Sequence, residues 1–476
     1  MDPVLDVAID RTSGSSLVEQ IRNGISRAIR EGRLKAGARL PSWRDLAVQM
    51  GVARGTVREA YQRLADDQLV VAAGSAGTHV VEQPPVRPLA DKQMDHSPLQ
   101  DMFPDFSTAP SVFQGGVPAL DAFPYKLWSS IMLRAARVAA AAPTSYPDPR
   151  GDPGLRHEIA AYLAVARGLT CAPSQVIVTT GYAGALGLAI HVLGLVGKAA
   201  WMEDPGFPLT RRALELAQMK PIAVRVDAEG LDVGHGLAVG PDAALAIVTA
   251  GQQAPLGATL SLARRRALLA WAEQSGGWII EDDYLSELQL RGRAAPAFAS
   301  LDSAGKVIHA GSFSKTITPA LRLGFLVVPP ELAARFGEVA GCLAPAPALG
   351  VQLTVAEFMR KGHYIRHLRR MKRLYKARQD LLLLSLQDNW SGYAANPCAT
   401  GLAVLLRLPE GMDDVEIATQ ALQFGLAPVP LSPWHMAKGP SRAGLLLYVT
   451  NVSDRRLAAD CNRIDNLIAR FRSQSA

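Results

Sequence analysis

The chain changes its grammar once, and the place where it changes limits what it can fold into. From Glu82 to Phe106 the stretch EQPPVRPLADKQMDHSPLQDMFPDF holds five prolines and no apolar periodicity. It can neither continue a helix nor complete a sheet ladder. Before it, apolar residues recur at helical spacing; after it, short apolar runs alternate with helical stretches. The 476 residues therefore read as two folding units, 1–82 and 106–476, joined by a semi-extended linker over 83–105.

In the first unit, SLVEQIRNGISRAIREG puts Leu17, Ile21, Ile25 and Ala28/Ile29 on one stripe, and Gly32 is a stop signal. A second helix opens in LPSWRDLAVQM, with Ser42 as N-cap and Asp45 in capping-box position; Leu46 and Met50 face inward. Gly51 turns the chain into a third helix, ARGTVREAYQRLADDQ, which buries Val57, Tyr61 and Leu64. Arg54 and Arg58 fall one turn apart on its other face. Leu69–Val71 and THVV then flank the small-residue tip AAGSAG. Three helices and a two-stranded ribbon make a winged helix-turn-helix, whose third helix enters the major groove and whose glycine tip approaches phosphates. Charge agrees with an anionic partner: Arg11 to Arg63 holds eleven Lys/Arg against four Asp/Glu, while the rest of the chain is near neutral.

The second unit reads as α/β, with strands at Val176–Thr179, Ala199–Met202, Ala244–Thr249, Trp278–Glu281, Val307–Ala310 and Phe325–Val328. Sites in such folds form at strand ends. VIVTTGYAGALGLAI is a strand, a turn at Gly181 and a helix, and so offers free N–H groups to a phosphate. WIIEDDYLSEL ends a buried strand in Glu281, Asp282, Asp283 and Tyr284, either capping the next element or holding a cation. GSFSKTITPALR sets Lys315 among small and hydroxyl residues, with Arg322 seven positions on. Pyridoxal phosphate needs an amine for its aldehyde, a carboxylate for its ring nitrogen and a phosphate cup. Lys315, Asp282, and Ser312, Ser314 and Arg322 with the Gly181 turn supply all three.

LPSWRDLA…GVARGTVREAYQRLADDQLV resembles the GntR-type winged helix, which implies that Arg44, Arg54, Thr56 and Arg58 contact DNA, with Gly77–His79 as the wing. The body resembles fold-type-I aminotransferases. The whole chain resembles MocR-type regulators through FPYKLW, YPDPRGDPGLRHEIAAYL, EDPGF, IIEDDY, GSFSK and HLRRMKRLYKARQD. That resemblance implies Lys315 as the Schiff-base lysine, Asp282 on the pyridine nitrogen, Tyr284 on the ring hydroxyl and Phe207 stacked on the ring. Ser312, Ser314 and Arg322 would hold the phosphate beside Gly181 and Tyr182. It also implies a homodimer and a regulator that senses an amine or amino acid, or pyridoxal phosphate itself, through its body. The alternative is an active aminotransferase with an appended DNA-binding module.

Two departures tell against efficient transamination. In GQQAPLGATL, Ala254 and Leu256 stand where aminotransferases have asparagine and threonine, leaving Gln252 or Gln253 as substitutes. In AGLLLYVTNVSD, Asn451 stands where an arginine grips a substrate carboxylate, leaving Arg442 as another cation within reach. No residue is therefore assigned a catalytic role, and Asn451 and Arg442 are the effector candidates. The basic run YIRHLRRMKRLYKARQ (364–379) reads as a solvated face of a long helix or as a secondary DNA-contacting surface. The acidic start, the lack of a membrane-length apolar run and four scattered cysteines point to a reduced, cytoplasmic protein without a metal site.

Overall fold

The computed structural model describes residues 9–11, 14–74, 77–81, 110–142, 145–292, 294–389, 395–397, 401–436 and 443–475. The linker proposed over 83–105 and Arg442 lie outside them. The chain divides into two compact units, Met1–Phe106 and Ser107–Ala476.

The smaller unit runs α1 (Leu17–Arg30), α2 (Trp43–Met50), α3 (Arg54–Asp66), β1 (Val70–Ala72) and β2 (Thr78–Val80), the two strands pairing antiparallel. Its core gathers Ile21, Ile25, Ala28, Ile29, Leu46, Val57, Tyr61 and Leu64 from the stripes expected from spacing; Met50 packs against it half-buried, and Leu17, also half-buried, stands outside it. Ser16 and Glu19 cap α1 reciprocally in a full capping box. The box expected at Ser42 is half formed. Ser42 accepts from the Asp45 amide at 3.1 Å, but Asp45 takes the Ser42 hydroxyl at 2.6 Å rather than the Ser42 backbone N–H. A shorter aspartate reaches less far back than glutamate does. Gly51 ends α2 in the left-handed conformation, φ 60°.

The larger unit opens with α4 (Tyr125–Ala140), α5 (Pro153–Arg167), β3 (Val176–Thr179), α6 (Tyr182–Val192), β4 (Ala199–Asp204) and α7 (Pro208–Leu216). It continues with β5 (Lys220–Asp227), β6 (Gly230–Leu231), α8 (Val233–Val239), β7 (Leu245–Val248), α9 (Leu262–Ser275), β8 (Trp278–Asp283), β9 (Val307–Ser312) and β10 (Gly324–Val327). Then come α10 (Ala333–Leu343), α11 (Leu349–Arg360), α12 (His363–Asn389), β11 (Ala395–Pro397), β12 (Ala403–Arg407), α13 (Asp414–Ala421), β13 (Val429–Pro430), β14 (Gly444–Tyr448) and α14 (Leu457–Ser475).

Eight strands form one sheet in the order β3-β10-β9-β8-β7-β4-β5-β6. The run from β9 to β5 is parallel, β10 is antiparallel to both β3 and β9, and β6 is antiparallel to β5. Both faces of the central strands are covered, so these read as continuous apolar runs. Ile177, Ile280, Ile308 and Leu326 pack toward α6 and α10, while Val176, Val178, Phe325 and Val327 pack toward α5, α11 and α12. A second sheet, β11-β12-β14-β13, lies toward the C-terminal end of the chain. No helix among the described residues is long and apolar enough to cross a membrane.

Candidate cofactor site and nucleic-acid interface

The carboxyl ends of the parallel strands collect the unusual side chains. Strand alternation sends Asp282 to one face of the sheet and Glu281 and Asp283 to the other. Asp282 is 7 % exposed and has no hydrogen-bond or ion-pair partner among the described residues. Burial, then the neighbouring Asp283 and Glu203 carboxylates, push it up to about 8, with Lys315 acting in the opposite direction. A carboxyl so placed lacks a cationic donor.

On the opposite face Glu281 is engaged through both oxygens, while Asp283 is paired through one oxygen and its other, Oδ1, is buried without a hydrogen-bond partner among the described residues. Glu281 accepts from His309 Nδ1 at 2.9 Å and from the amides of Phe298 and Ala299. Asp283 accepts from Arg167 Nε at 2.8 Å. Burial opposes ionisation of Glu281, but His309 and these hydrogen bonds outweigh it and hold the carboxyl at about 2. Glu281, Asp283 and His309 are grouped closely enough to suggest a metal. The Arg167 guanidinium on Asp283 already supplies the positive charge, so the cluster is an ion-pair network behind the site. Sequence reasoning misses it because Arg167 and His309 are brought in from distant segments.

Lys315 follows β9. It is half-buried, and its Nζ donates to the Gly116 carbonyl at 3.3 Å. Burial lowers its pKa, with Asp282 pulling the other way. A Cβ on Gly116 would stand 2.9 Å from that nitrogen, so the glycine permits the close approach. Gly116 adjoins Lys315 and carries no local sequence signal.

The residues expected to form a phosphate cup are brought together by strand register. Gly324 on β10 lies opposite Ser312 on β9 and Thr179 on β3. A Cβ at Gly324 would fall 2.8 Å from Gly311 O and 2.9 Å from Gly181 Cα, so the Gly181 turn rests directly on the β9–β10 end. Gly181, at φ 81°, precedes α6, and no side chain caps that helix; its first N–H groups are left for an anion. Ser312 Oγ accepts from the Ser314 amide at 3.2 Å. Arg322 is exposed, unpaired among the described residues, and sits in the left-handed region at φ 48°, a strained conformation for arginine and common at functional sites. Tyr182 starts α6, with its hydroxyl accepting from Thr210 at 3.2 Å.

Phe207 and Tyr284 are both half-buried against a cluster with Ala254, Leu256, Trp434 and Tyr448, and Phe207 lies 5.7 Å from the Trp434 ring. Gln253 cannot stand in for the missing asparagine. Its amide donates to Pro205 O and Ala254 O at 2.7 Å each, and its oxygen accepts from the Leu256 amide, so it is consumed in holding its own turn. Gln252 is buried with its side-chain oxygen unpartnered. Asn451 Nδ2 reaches Val117 O at 3.5 Å, one residue from the Gly116 contact, which places it on the lysine side of the site.

In the smaller unit Arg54 and Arg58 are exposed on α3, with Thr56 half-buried between them. Arg44 is exposed over the Trp43 ring at 4.8 Å. His79 on β2 contacts the Gly37 carbonyl at 3.2 Å. Gly77, at φ 94°, would place a Cβ 2.9 Å from Arg39 Nε. Exposed Arg39 therefore joins the wing, and its position ahead of α2 conceals that.

The model of "Aminotransferase class I and II" matches residues 123–441, and that of "Bacterial regulatory proteins, gntR family" matches 17–80. The probable rhizopine catabolism regulatory protein MocR of Rhizobium meliloti is 32 % identical over 93 % of this chain and 92 % of its own length. TauR of Rhodobacter capsulatus is 32 % identical over 90 % of each, and the pyridoxine biosynthesis regulator PdxR of Corynebacterium glutamicum is 30 % identical over 81 % and 82 %. Among solved structures, the α-aminoadipate aminotransferase LysN of Thermus thermophilus shares the fold at TM-score 0.70, with 24 % identity over 80 % of this chain and 96 % of that one. Matched along nearly its whole length and carrying both modules, the chain belongs to the MocR-type regulators, in which a GntR-family DNA-binding domain is joined to a class I and II aminotransferase domain.

Proposed function

We propose that this protein is a cytoplasmic transcription regulator that binds duplex DNA through α3 and the wing and holds pyridoxal 5'-phosphate in its aminotransferase-like body to sense an amine or amino-acid effector. The observation that carries the reading is Asp282, a buried carboxyl with no partner and a proton affinity raised by its surroundings. A ring N–H⁺ is the donor it lacks. The names of the relatives agree: MocR, TauR and PdxR are all named as regulators.

When bound, pyridoxal phosphate supplies an aldehyde that exchanges amines reversibly and a ring that withdraws electrons. Asp282 would hold the ring nitrogen, with the proton it shares in that pair residing on the nitrogen. The uncapped N–H groups after Gly181, with Ser312, Ser314 and Arg322, would hold the phosphate. Phe207 would cover the ring and Tyr284 its hydroxyl. Lys315, whose pKa is lowered by burial, keeps a larger neutral fraction, the form needed to bond the aldehyde and to yield to an effector amine. Asn451, which reaches the Val117 carbonyl next to the Gly116 carbonyl that Lys315 reaches, is the effector candidate within the described residues, and Arg442 is the candidate outside them. Ala254 and Asn451 favour sensing over turnover, since each removes a group that aminotransferases use. A homodimer would complete the site, as the likeness to fold-type-I aminotransferases implies.

The test is the visible spectrum of the full-length protein with added pyridoxal phosphate, beside Lys315→Ala, before and after a panel of amines and amino acids. Wild type should colour, the variant should lose or shift the band, and one amine should move both the band and duplex-DNA affinity. A wild-type protein that stays colourless sinks the cofactor reading.

A further inference from the structure

The basic run on α12 is a helix face, as the sequence allows, and it lines a groove. His367, Leu368, Met371, Tyr375, Arg378 and Gln379 turn inward, while Arg369, Arg370, Arg373 and Lys376 are exposed. An open groove of about 500 Å³ is lined by Leu290, Arg369, Lys372, Arg373 and Lys376. Four of its five lining residues are cations and none is acidic. Arg369 and Arg373 make no hydrogen bond or ion pair among the described residues. Lys372 reaches only the Gly292 carbonyl at 3.4 Å, and Asp380, beyond the groove, takes Lys376 at 2.8 Å.

We infer that this groove is a second contact surface for duplex DNA, holding the phosphate backbone without reading bases. The inference rests on the DNA-binding role proposed above. Positions 369, 372, 373 and 376 follow i, i+3, i+4, i+7 spacing, so the charges form a line along one helix face rather than converging on a point. From Arg369 to Lys376 the helix rises about 10 Å, whereas duplex DNA carries one charge per about 1.7 Å of its axis. A linear row of cations, with Arg369 and Arg373 unpaired among the described residues, therefore fits an extended polyanion, whereas a single small anion would require convergent donors. The partner with that charge pattern is the one the smaller unit already binds. Flexible cations spread along a helix that lies outside the winged helix suit the phosphate backbone, which carries the charge without the sequence.

The experiment uses the full-length protein and a fluorescein-labelled mixed-sequence duplex of 60 base pairs, titrated by anisotropy across a salt series. The variants are Arg369→Glu/Arg373→Glu, Arg369→Lys/Arg373→Lys and, for the winged helix, Arg54→Ala/Arg58→Ala. Each phosphate contact contributes about 0.9 to the slope of log affinity against log salt. The Glu pair should flatten the slope by about two and weaken binding at least tenfold at 100 mM salt, with the Lys pair near wild type and light scattering unchanged. If the winged-helix pair weakens binding while the Glu pair leaves the slope unaltered, the groove inference fails and the DNA-binding reading stands. A change in oligomeric state with an unaltered slope would instead make the groove an interface between copies. If wild type binds no duplex at all, both readings fall.

Discussion

At the scale of single residues, the site is organised by where charge is left unpaired. Asp282 and Asp283 are neighbours on β8, yet one is bound to Arg167 and the other waits for a partner. The waiting has a measurable sign. An aspartate in the unfolded chain ionises near 3.9, whereas Asp282 in the fold is pushed up to about 8. Between those values folding must take up a proton, so this group lowers the stability of the cofactor-free protein increasingly as pH rises, levelling off above about 8. Asp282→Asn should therefore raise the melting temperature of the cofactor-free protein more at pH 8 than at pH 6, while weakening pyridoxal phosphate binding. Equal gains at both pH values would show that Asp282 is already ionised in the free protein. Much of this was legible in advance: Lys315, Asp282 and Arg322 lie in short distinctive segments. Gly116, Arg39 and the Glu281–His309 pair were not, because their roles come from register and packing between segments far apart in sequence. Gln253 was misjudged for a related reason, since sequence spacing does not reveal which hydrogen bonds a side chain already makes.

At the scale of elements, the central strands were legible because burial on both faces leaves plain apolar runs. β5 escaped because its pattern mixes one buried position with exposed and half-buried ones, and Lys220, Arg225 and Asp227 break the run. The phosphate cup depends on an element contact, the Gly181 turn resting on Gly324. Gly324→Ala should push that turn off the sheet and cut pyridoxal phosphate affinity at least tenfold in a folded protein, measured by spectral titration. Gly187→Ala, inside α6 with open space around its Cβ, should leave affinity unchanged and stabilise by about 0.5–1 kcal/mol. Equal affinities for the two variants would remove the turn from the cup.

At the scale of the whole molecule, each unit has its own core, and no buried residue of the smaller unit's cluster comes from the larger. Calorimetry of the full chain should resolve two transitions, with pyridoxal phosphate raising only that of the larger unit and duplex DNA that of the winged helix. A single transition moved by both ligands would mean that the units unfold as one. The sheet order carries a consequence for biosynthesis. β10, the last strand of the large sheet to be made, inserts between β3 and β9 and brings Gly324 under the Gly181 turn, so the cofactor cup cannot close until the ribosome has passed it. The winged helix is finished at Val80 and folds through contacts close in sequence. With roughly 240 residues between those points and synthesis at about 5–20 residues per second, a nascent chain spends roughly ten to fifty seconds with a finished winged helix before the Gly181 turn can meet Gly324.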